Sequence, residues 1–592
     1  MKSRIFQGVR IFACVIKKLF PILSWLPNYS KKDFLADFPA GITVGIMLIP
    51  QGMAYALIAG LPMEYGLYAS LVPQMIYAIT GTSRQLSVGP VAMDSLLVAA
   101  GLSAIAVIGS ERYIELAIGL ALLMGAIQLL LGFLRAGFLV NFLSRPIISG
   151  FTSAAALIIG ANQIANLFGI DIPRNNQIHK FIFSVSETFT EIHISTLLIG
   201  IVAIILLVVI SKYRNIIKVP AALIVVITGI LFVWGTDLAN EGVKVVGNIP
   251  TGLPSFSTPS IGYSDIRQLL PIAITLALIA FMEAYSVAKA IEEKHDYKID
   301  ANQELRAIGL SNIFGALFQS YPTTGGFSRS AVNDNAGAVT PMSSLIAAVL
   351  IGLTLLFLTP LFYYLPKAVL SAIVMVAVID LIDFKLPIML WKSHKVEAVL
   401  LFATFLVTAT VGMTQGIAIG VGLSLVVLVY RQMRPHFTEL GEIEGVFRNV
   451  HRFPKAKVRD GLLIVRFDSA LHFANYRFLQ SSLEDVIEER TNRGDTINTI
   501  ILCAESIGYI DASGISALES LIDDLENRNI CFRLAAAIGP VRDVIESSDL
   551  IKRIGKTRCF TGIHYAISDL EAPGSIHDGL RKVATQVDLE DE

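Results

Sequence analysis

Charge is what this sequence has least of. Of its 592 residues only 16% are Asp, Glu, Lys or Arg, against 54% apolar, whereas an ordinary soluble chain carries about 25% charged residues. A mean hydropathy of +0.64 says the same. The shortage is local: residues 36–432 contain long charge-free stretches, and residues 433–592 read like a soluble domain. Forty-seven basic residues nearly balance 48 acidic ones, for a net charge of −1, so no global field draws the chain to nucleic acid. Cysteine is scarce too. Cys14, Cys503, Cys531 and Cys559 are too few and too scattered for a disulfide framework or a metal site. With no metal cluster and no nucleophile–base pairing, neither an enzyme nor a cofactor is expected. The N-terminus has Lys2, Arg4, Arg10, Lys17 and Lys18 but no short apolar run ending in a small-residue cleavage site, so no removable signal peptide is expected.

What the sequence has in abundance is apolar length. A helix needs about 20 apolar residues to cross a bilayer. Ile194–Ile210, Val219–Thr236 and Pro341–Pro366 are free of charge, and Ala398–Tyr430 is long enough for two helices broken near Gly412–Gly416. Further spans are expected near 38–58, 66–80, 113–134, 140–166, 267–291, 304–319 and 367–382. With two broken segments near 88–107 and 327–338, the total is about fourteen. An even number puts both termini on one side. The first 36 residues hold seven Lys/Arg against Asp33 alone; Lys212, Arg214 and Lys218, then Lys385, Lys392 and Lys395, then Arg431 and Arg434 fall on the same side. The positive-inside rule makes that side the cytoplasm.

The broken segments carry the chemistry. Ser87-Val88-Gly89-Pro90-Val91-Ala92 and Pro322-Thr323-Thr324-Gly325-Gly326-Phe327-Ser328-Arg329-Ser330 mix Gly, Pro and hydroxyls where lipid demands helix, and such backbone survives only when buried in protein or lining a cavity. Each is third in its half of the membrane region, and matched interruptions point to a transporter's binding site. In each, an extended piece precedes a short helix, so a helix N-terminus with about half a positive charge points into mid-membrane and suits an anion. Arg329 adds a whole charge. The bland reading is a pair of packing kinks; the matched positions and the intramembrane Arg weigh against it.

Glu283 is the one charge between Arg267 and Lys289. It must pair, protonate or bind a cation, and a static ion pair with Arg329 is the bland alternative. Asp94 is expected merely to face another helix, and Asp334 to lie at a helix end. A charge count favours coupling: a dianion contributes −2 and ionised Glu283 −1, while two helix ends and Arg329 offer only about +2. Protonating Glu283 balances the site, so proton and dianion favour each other's binding.

At these motifs the chain resembles the SulP family of sulfate permeases and anion exchangers. Pro50-Gln51-Gly52-Met53-Ala54-Tyr55-Ala56 is similar to that family's first-helix signature, Ser87–Pro90 to the start of its third segment, and Gly326–Asn333 to the start of its tenth. The resemblance implies a polytopic α-helical membrane protein of about 14 segments, in two inverted repeats of 7, whose core domain moves against a gate domain in an elevator-like cycle. It implies an anion held by Gln51, Tyr55, Val91, Ala92, Phe327, Ser328 and Arg329, with Glu283 as the eighth-segment acid. That acid is Glu in proton-coupled members, and Asp in a sodium-coupled bicarbonate branch. Asp296-Tyr297-Lys298-Ile299-Asp300 also looks like the sulfate permease branch. The expected function is proton-coupled sulfate uptake at the cell membrane. A bicarbonate, chloride or dicarboxylate carrier, and an anion sensor without net transport, are the alternatives.

Residues 437–572 show strand-like runs at Gly461–Phe467, Thr499–Cys503 and Cys531–Ala536, alternating with helical patterns at Asn475–Arg490, Ser513–Asn527 and Val541–Ser547, which suggests an α/β domain. The Ile510–Ile515 turn is similar to the STAS signature. Asp511, Ser513 and Gly514 form that turn, with Ser513 expected as a helix cap. Ala512 stands where related antagonists carry a phosphoacceptor, so phosphorylation there is not expected. The resemblance implies dimer contact, a cytoplasmic regulator and control of transport, with residues 573–592 as an acidic tail.

Overall fold

The computed structural model describes residues 19–138, 144–170, 177–188, 192–213, 220–379 and 382–572. The basic residues before Leu19, Cys14, Arg214 and Lys218, and the acidic tail lie outside the described residues. The chain divides into two units, Met1–Ser424 and Leu425–Glu592.

In the first unit the apolar runs become helices: α1 (Lys31–Ala59), α2 (Met63–Thr80), the two-residue strand β1 (Val88–Gly89), α3 (Ala92–Leu102), α4 (Glu111–Phe133), α5 (Arg145–Phe168), α6 (Ile194–Lys212) and α7 (Ala221–Thr236). The second half repeats the plan with α8 (Tyr263–Glu292), α9 (Ala301–Leu317), β2 (Thr324–Gly325), α10 (Phe327–Asn335), α11 (Met342–Leu353), α12 (Lys367–Ile379), α13 (Lys395–Thr410) and α14 (Met413–Met433). Among the described residues seven helices are long and apolar enough to cross a membrane, α11 qualifying because irregular turns prolong it to Phe362. The expected break between the last two spans falls at Gly412, whose φ of +147° is a conformation side chains rarely adopt. Helix α1 begins seven residues before its expected span, at a capping box in which Ser30 and Asp33 exchange hydrogen bonds.

The packing partners reveal the repeat. Helix α4 packs on α8 and α9, and its counterpart α11 packs on α1 and α2; α6 packs on α12 as α13 packs on α5; α3 meets α1 and α8, and α10 meets α8 and α1. Each contact maps onto another when every helix number is shifted by seven. Helices 1–4 and 8–11 associate among themselves, as do 5–7 with 12 and 13, which gives core and gate domains. Backbones come close where glycine permits it. A Cβ on Gly66 of α2 would stand 2.0 Å from the carbonyl oxygen of Gly52 on α1, the small-residue packing that lipid-immersed helices rely on.

The second unit is an α/β domain. In chain order it contains β3 (Phe437–Ile443), β4 (Val446–Asn449), β5 (Leu462–Phe467), α15 (Tyr476–Asn492), β6 (Thr499–Cys503), α16 (Ala512–Asn527), β7 (Cys531–Ala535), α17 (Gly539–Ser547), α18 (Leu550–Ile554), β8 (Cys559–Phe560) and α19 (Ile563–Glu571). The sheet order is β4-β3-β5-β6-β7-β8, parallel from β5 to β8 and antiparallel at β3 and β4. Alternate residues of β5 feed two cores: Leu463, Val465 and Phe467 on one face, Leu462 and Ile464 on the other. Arg490 is buried and paired with Glu439 at 2.9 Å and with Asp495, so its charge is compensated. Burial pushes the Cys559 thiol up to about 11 and raises that of Cys503, so neither is a nucleophilic thiolate at neutral pH.

Candidate anion-binding site

The two broken segments meet. Strands β1 and β2 pair antiparallel, Val88 opposite Gly325 and Gly89 opposite Thr324, and the Gly326 N–H donates to the Ser87 carbonyl at 3.0 Å. The open backbone that lipid would penalise is thus satisfied across the repeat. Each strand runs into a helix N-terminus, α3 after Val91 and α10 after Gly326. Neither end carries a side-chain cap, so free N–H groups remain at both. Hydroxyls clamp the crossing: the Ser87 N–H donates to the Ser330 hydroxyl at 2.9 Å, and the hydroxyls of Ser95 and Tyr321 lie 3.0 Å apart. The Thr324 hydroxyl donates to the Ala280 carbonyl at 2.6 Å, which ties β2 to α8 one turn before Glu283.

Arg329 sits in the first turn of α10 and is 2% exposed. Its Nη1 donates to the Pro90 carbonyl at 2.7 Å, while Nε and Nη2 are buried with no partner. No ion pair joins it to Glu283 among the described residues, so the static pairing is not the arrangement found. Glu283 keeps a buried oxygen without a partner and still feels the charge of Arg329. Gln51 and Tyr55 are buried one turn apart on α1. The Gln51 Oε1 is unpartnered, and the Tyr55 phenol lies within electrostatic reach of both Arg329 and Glu283. Val91 is the residue before α3 and Ala92 its first; Phe327 and Ser328 open α10 and are exposed.

A cavity of about 610 Å³ reaches this place, lined by Met93, Glu283 and Phe327 together with Arg145, Ser149 and Asp383. Another, of about 470 Å³ between α6 and α7, is lined by Leu198, Val225, Phe232 and other side chains without a charge, so it offers an anion no compensating charge. Asp334 lies near the end of α10 as expected, 2.6 Å from His295. Asp94 faces other helices as expected. It is wholly buried, and neither carboxyl oxygen has a partner.

Comparison with known proteins now decides the family. Residues 34–404 match the sulfate permease family and residues 453–566 the STAS domain. This chain belongs to the sulfate permease family. It is 39% identical over 571 residues to "Sulfate transporter 4.1, chloroplastic" of Arabidopsis thaliana, covering 93% of this chain and 82% of that one. It is 36% identical over 581 residues to "High affinity sulfate transporter 2" of Stylosanthes hamata, covering 95% and 88%. Among solved structures it resembles the murine Solute Carrier 26 family member A9 anion transporter in the inward-facing state, with a TM-score of 0.86, 26% identity, and 94% and 95% of the two chains covered. The cyanobacterial bicarbonate transporter BicA shares the fold of its transmembrane domain, with a TM-score of 0.58 at 19% identity over 67% of this chain. The family is one of membrane transporters, not enzymes.

In the STAS domain Asp511, not Ser513, is the cap of α16. One Asp511 oxygen accepts from the Gly514 N–H at 2.8 Å and the other from the Phe473 N–H at 2.9 Å. Asp511 precedes the helix with extended backbone, while Ser513 is already inside its first turn, where its hydroxyl is past the capping position.

Proposed function

We propose that this protein takes up sulfate by proton symport, with the dianion held between the N-termini of α3 and α10 and the proton on Glu283. The carrying observation is the Arg329 guanidinium, buried with two nitrogens unpartnered at the crossing of two uncapped helix ends. Removing a guanidinium from water without satisfying it is costly, so its remaining donors are held ready for an anion. Gln51, Tyr55, Val91, Ala92, Phe327 and Ser328 complete the lining. The names of the relatives support sulfate. Glu283 on the shared cavity supports a proton, because an intramembrane carboxylate with an unmet oxygen beside an incoming dianion is stabilised by protonation. Core and gate domains support an elevator-like movement of the site. The charged connections support a cell-membrane protein with both termini in the cytoplasm, where the STAS domain serves dimer contact and a cytoplasmic regulator.

The test is uptake of labelled sulfate into proteoliposomes with no sodium present. An inward proton gradient drives accumulation in the wild type. Glu283→Gln still binds sulfate, but its accumulation for a gradient of one pH unit falls about tenfold, the value of one coupled proton. Wild-type uptake that ignores the proton gradient, or a Glu283→Gln variant with undiminished accumulation, sinks this assignment.

A further inference from the structure

Asp94 is the one acid at the crossing that the transport scheme above leaves unused. It is wholly buried on the third residue of α3. Both of its oxygens lack a partner, so its hydrogen-bonding capacity is unmet whether it is ionised or neutral, a condition costly enough to need a reason. Its place in the fold supplies one. The pairing of Val88 with Gly325 and of Gly89 with Thr324 aligns the two repeats so that Val91 matches Phe327, Ala92 matches Ser328, Met93 matches Arg329, and Asp94 matches Ser330, the neighbour of Arg329. The two repeats thus put opposite charges in the first turn of matching half-helices, one residue apart in register.

The groups around Asp94 are few. Helix α8 presents Glu283, which interacts with it electrostatically. Tyr321 lies before β2 and is also within reach. Tyr55 on α1 and Arg329 on α10 face the same crossing. Helices α4 and α5 also pack on α3, but their charged residues are confined to Glu111, Arg112 and Glu115 at the start of one and Arg145 at the start of the other. The local charges are therefore Arg329, the two helix ends, Asp94 and Glu283.

Their sum is informative. With both acids ionised and no anion, Arg329 and the two helix ends contribute about +2 and the acids −2, so the empty site is balanced. With a dianion and both acids protonated, the sum is again about zero. One proton with a dianion leaves the site at about −1. An ionised Asp94 also lies in the first turn of α3, where its charge offsets the positive helix end that would attract the anion. We propose that Asp94 is a second proton carrier and that the site loads two protons with each dianion, which makes transport electroneutral. The inference rests on the proton-coupled reading above and adds the stoichiometry and the residue that sets it.

The experiment uses the full chain in proteoliposomes, with labelled sulfate, an imposed pH gradient and a potassium-diffusion potential set independently. Wild-type accumulation reaches about 100-fold for one pH unit and is unaffected by the potential, since two protons neutralise the dianion. Asp94→Asn retains sulfate binding by calorimetry, accumulates about tenfold at zero potential, and is accelerated by an inside-positive potential, because each cycle now carries one net negative charge. Asp94→Glu restores the wild-type pattern. A wild type that couples one proton and responds to the potential overturns this proposal while leaving Glu283 in place, and it needs no variant to fold. An Asp94→Asn variant with an unchanged ratio also overturns it. A wild type blind to the proton gradient removes both readings together.

Discussion

The third and tenth segments have one backbone and two chemistries. Both make a two-residue strand, turn into an uncapped half-helix and lend a serine to the other repeat. The first repeat carries Asp94 in the first turn of its half-helix, and the second carries Arg329 in the first turn of its own. Backbone symmetry alone would give a site of two weak positive ends, attractive to any anion and indifferent to pH. Breaking the symmetry with one acid and one base in the first turns of matching half-helices supplies a permanent cation, which binds, and a titratable group, which makes binding conditional. The lesson is that an inverted repeat fixes where a site is, and the side chains that violate the repeat decide what it does.

The sharpest way to break the comparison is to neutralise each member. Arg329→Ala weakens sulfate binding tenfold or more, because hydrogen bonds to charged groups are worth about 1.5–3 kcal/mol. Asp94→Asn moves affinity the other way at neutral pH, by removing a charge that offsets the positive end of α3. Calorimetry on both variants reads the two signs, and equal signs would remove the functional distinction between the repeats.

A smaller effect sharpens the role of shape. Gly326 has an ordinary φ of −86°, so alanine is conformationally allowed there. Its Cβ would nevertheless stand 2.7 Å from the Arg329 Cζ and push the guanidinium aside. Gly326→Ala is expected to weaken sulfate binding severalfold, about 1 kcal/mol, with little change in thermal unfolding. Val91→Ala, at the residue before α3, is expected to leave affinity unchanged. If both leave affinity unchanged, the position of the guanidinium is not what the glycine protects.

The smallest expected effect lies in the soluble domain and serves as a contrast. Asp511→Ala orphans the Gly514 and Phe473 N–H groups, and loss of such a cap costs about 0.5–2 kcal/mol. Hydrogen exchange should show faster opening of the first turn of α16. Equilibrium sulfate affinity of the full chain should be unaffected, since every anion-lining residue named above lies in the membrane unit. Ser513→Ala, by contrast, should leave exchange unchanged.

The sequence by itself determined a great deal here. Long charge-free runs must be helices in lipid, because no other open backbone is tolerated there, so fourteen segments and a separate soluble domain could be read directly. The strand at Thr499–Cys503 was legible because a strand buried on both faces is a continuous apolar run, and Cys531–Ala535 was legible even with Arg533, ion-paired with Asp569, in its middle. Strand β3, with the polar sequence Phe437–Ile443, and the two-residue edge strand β8 were not, since pairing and length are decided by neighbours. Gln51, Tyr55, Glu283 and Arg329 stood out as polar groups in apolar surroundings or within a family motif. What only the tertiary structure decided was partnership. It paired Val88 with Gly325, left Arg329 without Glu283, gave the cap of α16 to Asp511, and left Asp94 buried and unsatisfied in the first turn of α3. Each of these depends on which atoms lie within about 3 Å of one another, and residues more than two hundred positions apart in the chain acquire such neighbours only when the two halves fold together.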